Sequence, residues 1–278
     1  MKFKSIALGL SALVIMASTA CKKDTEDSPQ NNPPPIDSPI PSNLIKVGEA
    51  YINGAAARAV VYAERSLFTG YNRLYVAIYD SSDQSRLNDG HFELNTLMSM
   101  GMTTHSSPIE QDEEINPSDK LWNPAVVFIM GGTWKVHLHF HNHRNNLEGE
   151  GELNLTVANP LIPVMHSFVI AADDSARVFM SLLQPMQPKI GLNAFEIALH
   201  RKVSNDSFPA INDYTIEIIP EMVSMGHGSP DNVNPILTDN GHYEGKVNFT
   251  MSGDWRVHIK LRKNGILLDE SHYFDFAF

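Results

Sequence analysis

The chain has 278 residues, a formal charge of −11, 42% hydrophobic residues and a single cysteine. The acidic balance argues against nucleic acid and against a polyanionic membrane surface as partners. One cysteine rules out an internal disulfide framework.

The N-terminus reads as a targeting segment. Lys2 and Lys4 precede an apolar run, Ile6 to Met16, which is too short to span a bilayer. Ser18-Thr19-Ala20-Cys21 follows, with small residues before the cysteine. This stretch resembles a bacterial lipobox, in which the cysteine is cleaved and acylated. Ser18 departs from the Leu usually found there. The resemblance implies a signal peptide over 1–20, lipid attachment at Cys21 and a place in the bacterial cell envelope. The expected anchor is the outer membrane, on its periplasmic or surface side. Cleavage before Cys21 removes two lysines and no acid, leaving 19 minus 32, or −13.

Residues 21–43 read as an extended tether. They hold Asp24, Glu26, Asp27 and Asp37 with Pro29, Pro33, Pro34, Pro35, Pro39 and Pro41, and cannot bury a core. The run from Lys22 to Asp27 resembles the charged sorting signal of surface lipoproteins in the Bacteroidota. A solvated linker is the alternative.

From Leu44 onward, short apolar runs alternate with turns. The pattern predicts strands over Ala57–Tyr62, Leu74–Tyr79 and His91–Met100, then a polar loop over Ser106–Lys120. Glu110, Asp112, Glu113 and Glu114 in that loop read as a solvated charge run. Further strands are predicted over Ala125–Met130, Trp134–His141 and Glu150–Val157. The segment Ala158 to Pro163 marks a boundary. The second set covers Ser167–Ala171, Ala176–Leu183, Ala194–Leu199, Tyr214–Ile219, Lys246–Met251, Trp255–Leu261 and Ser271–Phe278.

One stretch occurs twice. Phe128–Leu138 (FIMGGTWKVHL) and Phe249–Ile259 (FTMSGDWRVHI) are identical at six of eleven positions. Side chains on a strand alternate between faces. Trp134, Val136, Leu138 and Phe140 therefore share a core face, as do Trp255, Val257, Ile259 and Leu261. Gly132 and Gly253 precede each tryptophan by two residues, where a turn or close backbone approach is expected. The repeat extends back through Trp122/Tyr243 and Val126/Val247 to Ser99-Met100-Gly101 and Ser224-Met225-Gly226. Without a gap Met102 aligns with His227; with a gap His105 does. The expected architecture is all-β: two tandem immunoglobulin-like β-sandwiches, over 44–160 and 161–278.

The second unit carries Met225-Gly226-His227-Gly228, then Gly241-x-Tyr243-x-Gly245, then Phe249-x-Met251-x-Gly253-x-Trp255. These residues resemble the YtkA-like and FixH-like families of small extracytoplasmic β-sandwich domains. The first unit looks like a degenerate copy. FixH-type proteins are associated with the assembly of copper-dependent oxidases, so the resemblance implies metal handling; the transmembrane anchor many of them carry is not evident here.

The residues offer two metal-ligating sets. His137, His139, His141 and His143 lie on the outer face of the first Trp strand, where neighbouring imidazoles suit Zn, Cu or Ni. The second unit keeps only His258 of this row, with Lys260 and Arg262 beyond it. The other set is soft: Met98, Met100 and Met102 with His105, and Met222 and Met225 with His227. Thioethers select Cu(I), so copper is the implied cofactor. Against this, Met98 and Met100 share a parity with Phe92 and Leu94 and read equally as core, as do Met130 and Met251. The outer histidines read equally as a solvated strand face.

No nucleophile elbow, H-E-x-x-H, P-loop or dinucleotide fingerprint occurs. The chain therefore reads as a non-catalytic envelope lipoprotein. Either it binds metal at these residues, or its sandwiches bind another envelope protein without metal.

Overall fold

Alternation along the strands decides the architecture. The computed structural model describes residues 39–112 and 114–278. The expected signal segment, Cys21, almost all of the tether, and Glu113 lie outside the described residues. The first sandwich comprises β1 (Ile45–Ile52), β2 (Ala57–Ala63), β3 (Gly70–Asp80), β4 (Arg86–Leu87), β5 (Gly90–Met100), β6 (Thr103–His105), β7 (Ile109–Glu110), β8 (Ala125–Phe128), β9 (Gly132–Asn142) and β10 (Leu147–Val157). The second comprises β11 (Met165–Ile170), β12 (Ala176–Gln184), β13 (Gly191–Lys202), β14 (Thr215–Met222), β15 (His227–Gly228), β16 (Val233–Asp239), β17 (His242–Phe249), β18 (Asp254–Lys263) and β19 (Ile266–Ala277). No helix occurs among the described residues.

The first sandwich pairs its strands as β1-β2-β3-β8-β7, with β4 on β3, over a sheet ordered β10-β9-β5-β6. The second repeats this strand for strand, as β11-β12-β13-β17-β16 over β19-β18-β14-β15. Only β4 lacks a counterpart. Each sandwich closes over its own hydrophobic core. These are two tandem immunoglobulin-like β-sandwiches.

Every predicted strand falls on an observed one. The pattern missed β1 and β16, both at sheet edges, and the short β4, β6, β7 and β15. Neither β1 nor β16 shows the clean alternation that marks a half-buried strand. Most of β1 is exposed or half-exposed, and β16 carries Pro235, which has no N–H for the ladder, at a register shift.

The tryptophans sit at equivalent places. Trp134 and Trp255 are buried, packed against Phe128 and Phe249 with ring centroids 5.4 and 5.5 Å apart. Each indole N–H donates to a backbone carbonyl four residues upstream, Met130 O at 3.0 Å and Met251 O at 2.9 Å. The core reading fails for Met251, whose side chain is at the surface because its strand ends at Phe249; Met130 only borders the core. Gly132 and Gly253 have φ of +131° and +148°. A Cβ on them would meet the Cε of Met98 and of Met222 at 3.1 and 2.2 Å.

A second internal duplication supports the strands that face them. Asn72 accepts from Phe68 N and donates to Phe68 O and Gly70 O. Asn193 does the same with Lys189 N, Lys189 O and Gly191 O. Both buried amides fix the turn leading into the long strands β3 and β13.

The two sandwiches are joined by an ionic clasp that the sequence did not disclose. Glu110, at the end of β7, accepts from Tyr71 Oη at 2.7 Å within its own sandwich. From the second sandwich it accepts from His242 Nε2 at 3.0 Å and pairs with His200 Nε2 at 3.2 Å. The expectation of a solvated charge run is therefore wrong for Glu110. Packing of β7 on β8 turns its side chain into the junction. His242 spends its other nitrogen on Glu196, at 2.9 Å. Beside this, Ser106 N donates to Asn205 O at 2.8 Å. Burial works to raise the Glu110 carboxyl, but hydrogen bonds from His200, His242 and Tyr71 outweigh it and hold the carboxyl well below the usual carboxylate range. For His242 the bonds to Glu110 and Glu196 outweigh burial and push the imidazole up to about 9.

Two predictions follow from this packing. Trp134→Ala or Trp255→Ala should each cost about 3–5 kcal/mol of its own sandwich's stability, read by urea unfolding. The clasp should also leave a signature in pH. A group whose folded pKa is raised stabilises fully below its unfolded value, ~6.5 for His, and that contribution fades as pH rises through the folded value. Junction stability should therefore fall between pH ~6.5 and about 9. In Glu110→Gln that slope should flatten; an unchanged slope would remove His242 as its source.

Candidate functional site

At one end of each sandwich a short hairpin brings methionine and histidine together. On β5 and β6, Met98 pairs with His105 and Met100 with Thr103. On β14 and β15, Met222 pairs with His227. Directly opposed residues of antiparallel strands hold their Cβ atoms about 4.5–5.5 Å apart. The gapped alignment is thus the one the fold adopts: His105 corresponds to His227, and Met98 to Met222.

The surroundings of the two histidines also repeat. Each imidazole meets its tryptophan edge to face, at 5.3 Å for His105–Trp134 and 5.7 Å for His227–Trp255. Nδ1 of His105 lies 3.1 Å from Ser106 O, and Nδ1 of His227 lies 2.9 Å from Gly228 O. A carbonyl only accepts, so in the neutral ring Nδ1 carries the hydrogen and Nε2 keeps its lone pair. Met98 and Met222 lie beneath, 6% and 5% exposed, each with its terminal methyl over the strand glycine. Met100 and Met225 stand at the hairpin tips, 52% and 61% exposed. The core reading therefore fits Met98 but not Met100, because the strand parity continues past the edge of the core. Met102 is fully exposed.

The histidine row has a different character. His137, His139 and His141 alternate with core residues on β9 and are half-buried rather than open. His143 falls beyond the strand, which ends at Asn142. Each of the four has a polar partner on one ring nitrogen, although Nε2 of His137 is buried without one. His137 Nδ1 meets Glu152 at 3.0 Å, His139 Nε2 meets Glu148 at 2.7 Å and His143 Nδ1 meets Asp89 at 2.8 Å. His141 Nε2 meets Asn146 at 3.2 Å. In the second sandwich His258 Nε2 lies 3.1 Å from Glu221. Cross-strand imidazole–carboxylate pairs thus occupy this face at His137, His139 and His258. Among the described residues, no group of three or more His, Cys, Asp or Glu side chains is placed to hold a metal ion. A soft-ion site would have to draw on methionine sulfur.

The sequence reading missed several residues. His91 lies opposite His141 on β5 and stacks edge to face with His143 at 4.7 Å. Strand parity from Phe92 could have placed it on the outer face. Tyr71, Glu196, His200 and His242 of the clasp carried no local signal, since they converge only through packing of the two sandwiches.

Comparison with known proteins adds the following. The YtkA-like family model matches residues 173–260, less than half of the chain and wholly within the second sandwich. No curated protein matches in sequence. Among solved structures, the chain is similar to FdeC, an Escherichia coli adhesin, at 13% identity and a TM-score of 0.26. That match covers 82% of this chain and 65% of the FdeC chain, so this chain spans less than two thirds of it. Domains 5–6 of the S-layer protein SbsC match at 8% identity and TM-score 0.29, over 84% of this chain and 97% of theirs. Fibronectin(III)-like modules of Clostridium thermocellum CbhA match at 9% and 0.20, over 81% and 90%. The fold itself rests on the sheet orders described above. Over residues 173–260, the second sandwich of this chain is similar to YtkA-like domains.

Proposed function

We propose that this protein is a non-catalytic lipoprotein of the bacterial cell envelope that binds copper(I) at the Met–His end of each sandwich. It is held to the membrane by acylated Cys21. One observation supports the copper reading: the same methionine, histidine and tryptophan recur at the same place in both sandwiches, although the hairpins differ in length. Ordinary core packing accounts for Met98 and Met222. It does not account for a histidine at the hairpin in each copy whose Nδ1 is tied to a carbonyl and whose Nε2 makes no hydrogen bond among the described residues.

The donor set fits a soft monovalent ion. Thioether sulfur prefers Cu(I) over Zn(II), and neutral imidazole completes the set. Met98, Met100 and His105 would hold the ion in the first sandwich, and Met222, Met225 and His227 in the second. The indole edge shields one side from water. In this reading the first sandwich is the degenerate YtkA-like copy, and the FixH-like resemblance points to the same metal. The competing reading is an envelope protein-interaction module without metal.

The chain carrying Cys21→Ser, which also removes the thiol as a competing ligand, serves for the test. Anaerobic titration against a chromogenic Cu(I) chelator should show two ions bound per chain. His105→Ala and His227→Ala should each remove one. His137→Ala with His139→Ala should leave both. No binding at micromolar Cu(I) would leave the interaction module in possession. Membrane attachment is tested separately: Cys21→Ser should move the protein from the membrane to the soluble fraction, and unchanged fractionation would refute the anchor.

A further inference from the structure

The two Met–His ends differ in what lies behind them. In the first sandwich, His105 is followed directly by the chain that builds the junction. Its imidazole Nδ1 is held by Ser106 O at 3.1 Å, and the N–H of the same Ser106 donates to Asn205 O of the second sandwich at 2.8 Å. Ser106 and Ser107 are buried, with Thr96 Oγ1 3.5 and 3.4 Å from their hydroxyls. Within the next turn the chain reaches Glu110, which takes His200 and His242 of the second sandwich. One short segment, 105–110, thus carries both a candidate ligand and the clasp. In the second sandwich the counterpart is tied to strands of its own sandwich, through Asn248 of β17 to Pro230 and Asn232, with no bond to the first sandwich among the described residues. His227 is held by Gly228 O, Gly228 pairs with Glu221 of its own sheet, and Ser229 accepts from Asn232.

We propose that copper binding at the first Met–His end is coupled to closure of the clasp between the sandwiches, whereas binding at the second end is not. This rests on the copper reading above. The ion needs the Nε2 lone pair, and that tautomer is fixed by donation from Nδ1 to Ser106 O. With the clasp closed, Asn205 and Glu110 pin the segment on both sides of that peptide, so the ring is already oriented. With the clasp open, the segment keeps its ties to Thr96, Tyr71 and β8 but loses Asn205, His200 and His242, so the Ser106 peptide is held less firmly and binding must order it further. Linkage makes the effect reciprocal, so copper at the first end must favour the closed clasp by the same factor. The protein would then report copper at one end as a stiffening of the angle between its two sandwiches.

The test uses the full chain with Cys21→Ser. With the second end silenced by His227→Ala, Glu110→Gln should weaken Cu(I) binding at least about fivefold, the lower range of measured coupling. With the first end silenced by His105→Ala, the same Glu110→Gln should change Cu(I) affinity by less than about twofold. Equal effects on both ends, or none on the first, would overturn the coupling. If Glu110→Gln fails to fold, deuterium exchange on the chain with Glu110 intact decides. Copper should slow exchange at the Ser106 amide and not at the Gly228 amide, and an unchanged Ser106 rate would overturn the proposal. Copper bound at both ends with no dependence on the clasp removes only the coupling. Absence of copper binding removes the copper reading and the coupling with it.

Discussion

Each sandwich is arranged around one buried indole whose N–H is satisfied within its own turn, Trp134 in the first and Trp255 in the second. The nearest acceptor is the carbonyl four residues upstream, which forces the chain to double back just before the tryptophan. The doubling back requires a glycine at positive φ, and the missing Cβ leaves room for a methionine methyl from the neighbouring hairpin. That methionine is paired with a histidine, whose ring then rests on the indole. One hydrogen-bond obligation thus fixes a turn, a glycine, a thioether and an imidazole. Losing either of these bonds would leave a buried donor unpaired, at a cost of about 1–3 kcal/mol.

How much of this was legible depended on whether the signal was local. Trp134 and Trp255 announced their strands because core and outer residues alternate cleanly beside them. The duplicated eleven-residue stretch announced the second sandwich. The asparagines Asn72 and Asn193 stand the same distance before the two tryptophans, so a longer repeat was available in the sequence and passed unread. Correspondence of His105 with His227 could not be decided from residues alone, because it turns on hairpin length. Register settled it. The clasp was illegible for a deeper reason. Glu110 sits in an acidic run that has every mark of solvent exposure, and only the packing of distant strands makes it the shared acceptor of three donors.

The histidine row shows the opposite error, in which a conspicuous local pattern suggested more than the geometry supports. Four alternating histidines look like ligands when the facing strands are unknown. Once β10 is in register, Glu152 and Glu148 supply partners for His137 and His139, and Asp89 does so for His143. Exposed pairs of this kind contribute little stability individually. Their effect is to give a strongly acidic protein a face where carboxylates are bridged across strands instead of repelling one another.

The identical strand order of the two sandwiches carries a consequence for biogenesis. A chain holding two copies of one topology can exchange equivalent strands between them, and such swapping is a known failure of repeat proteins. Here β9 could in principle be replaced by β18 in the first core, since both offer Trp-x-Val-x-aliphatic inward. Two features oppose the exchange. All sheet pairings of the first sandwich close within residues 45–157, so it can be complete before the second copy is synthesised. The hairpins of unequal length also set different registers, so an exchanged strand would leave its methionine and histidine out of step. Divergence between the copies, which weakens the repeat in the sequence, is therefore what lets each copy fold as itself.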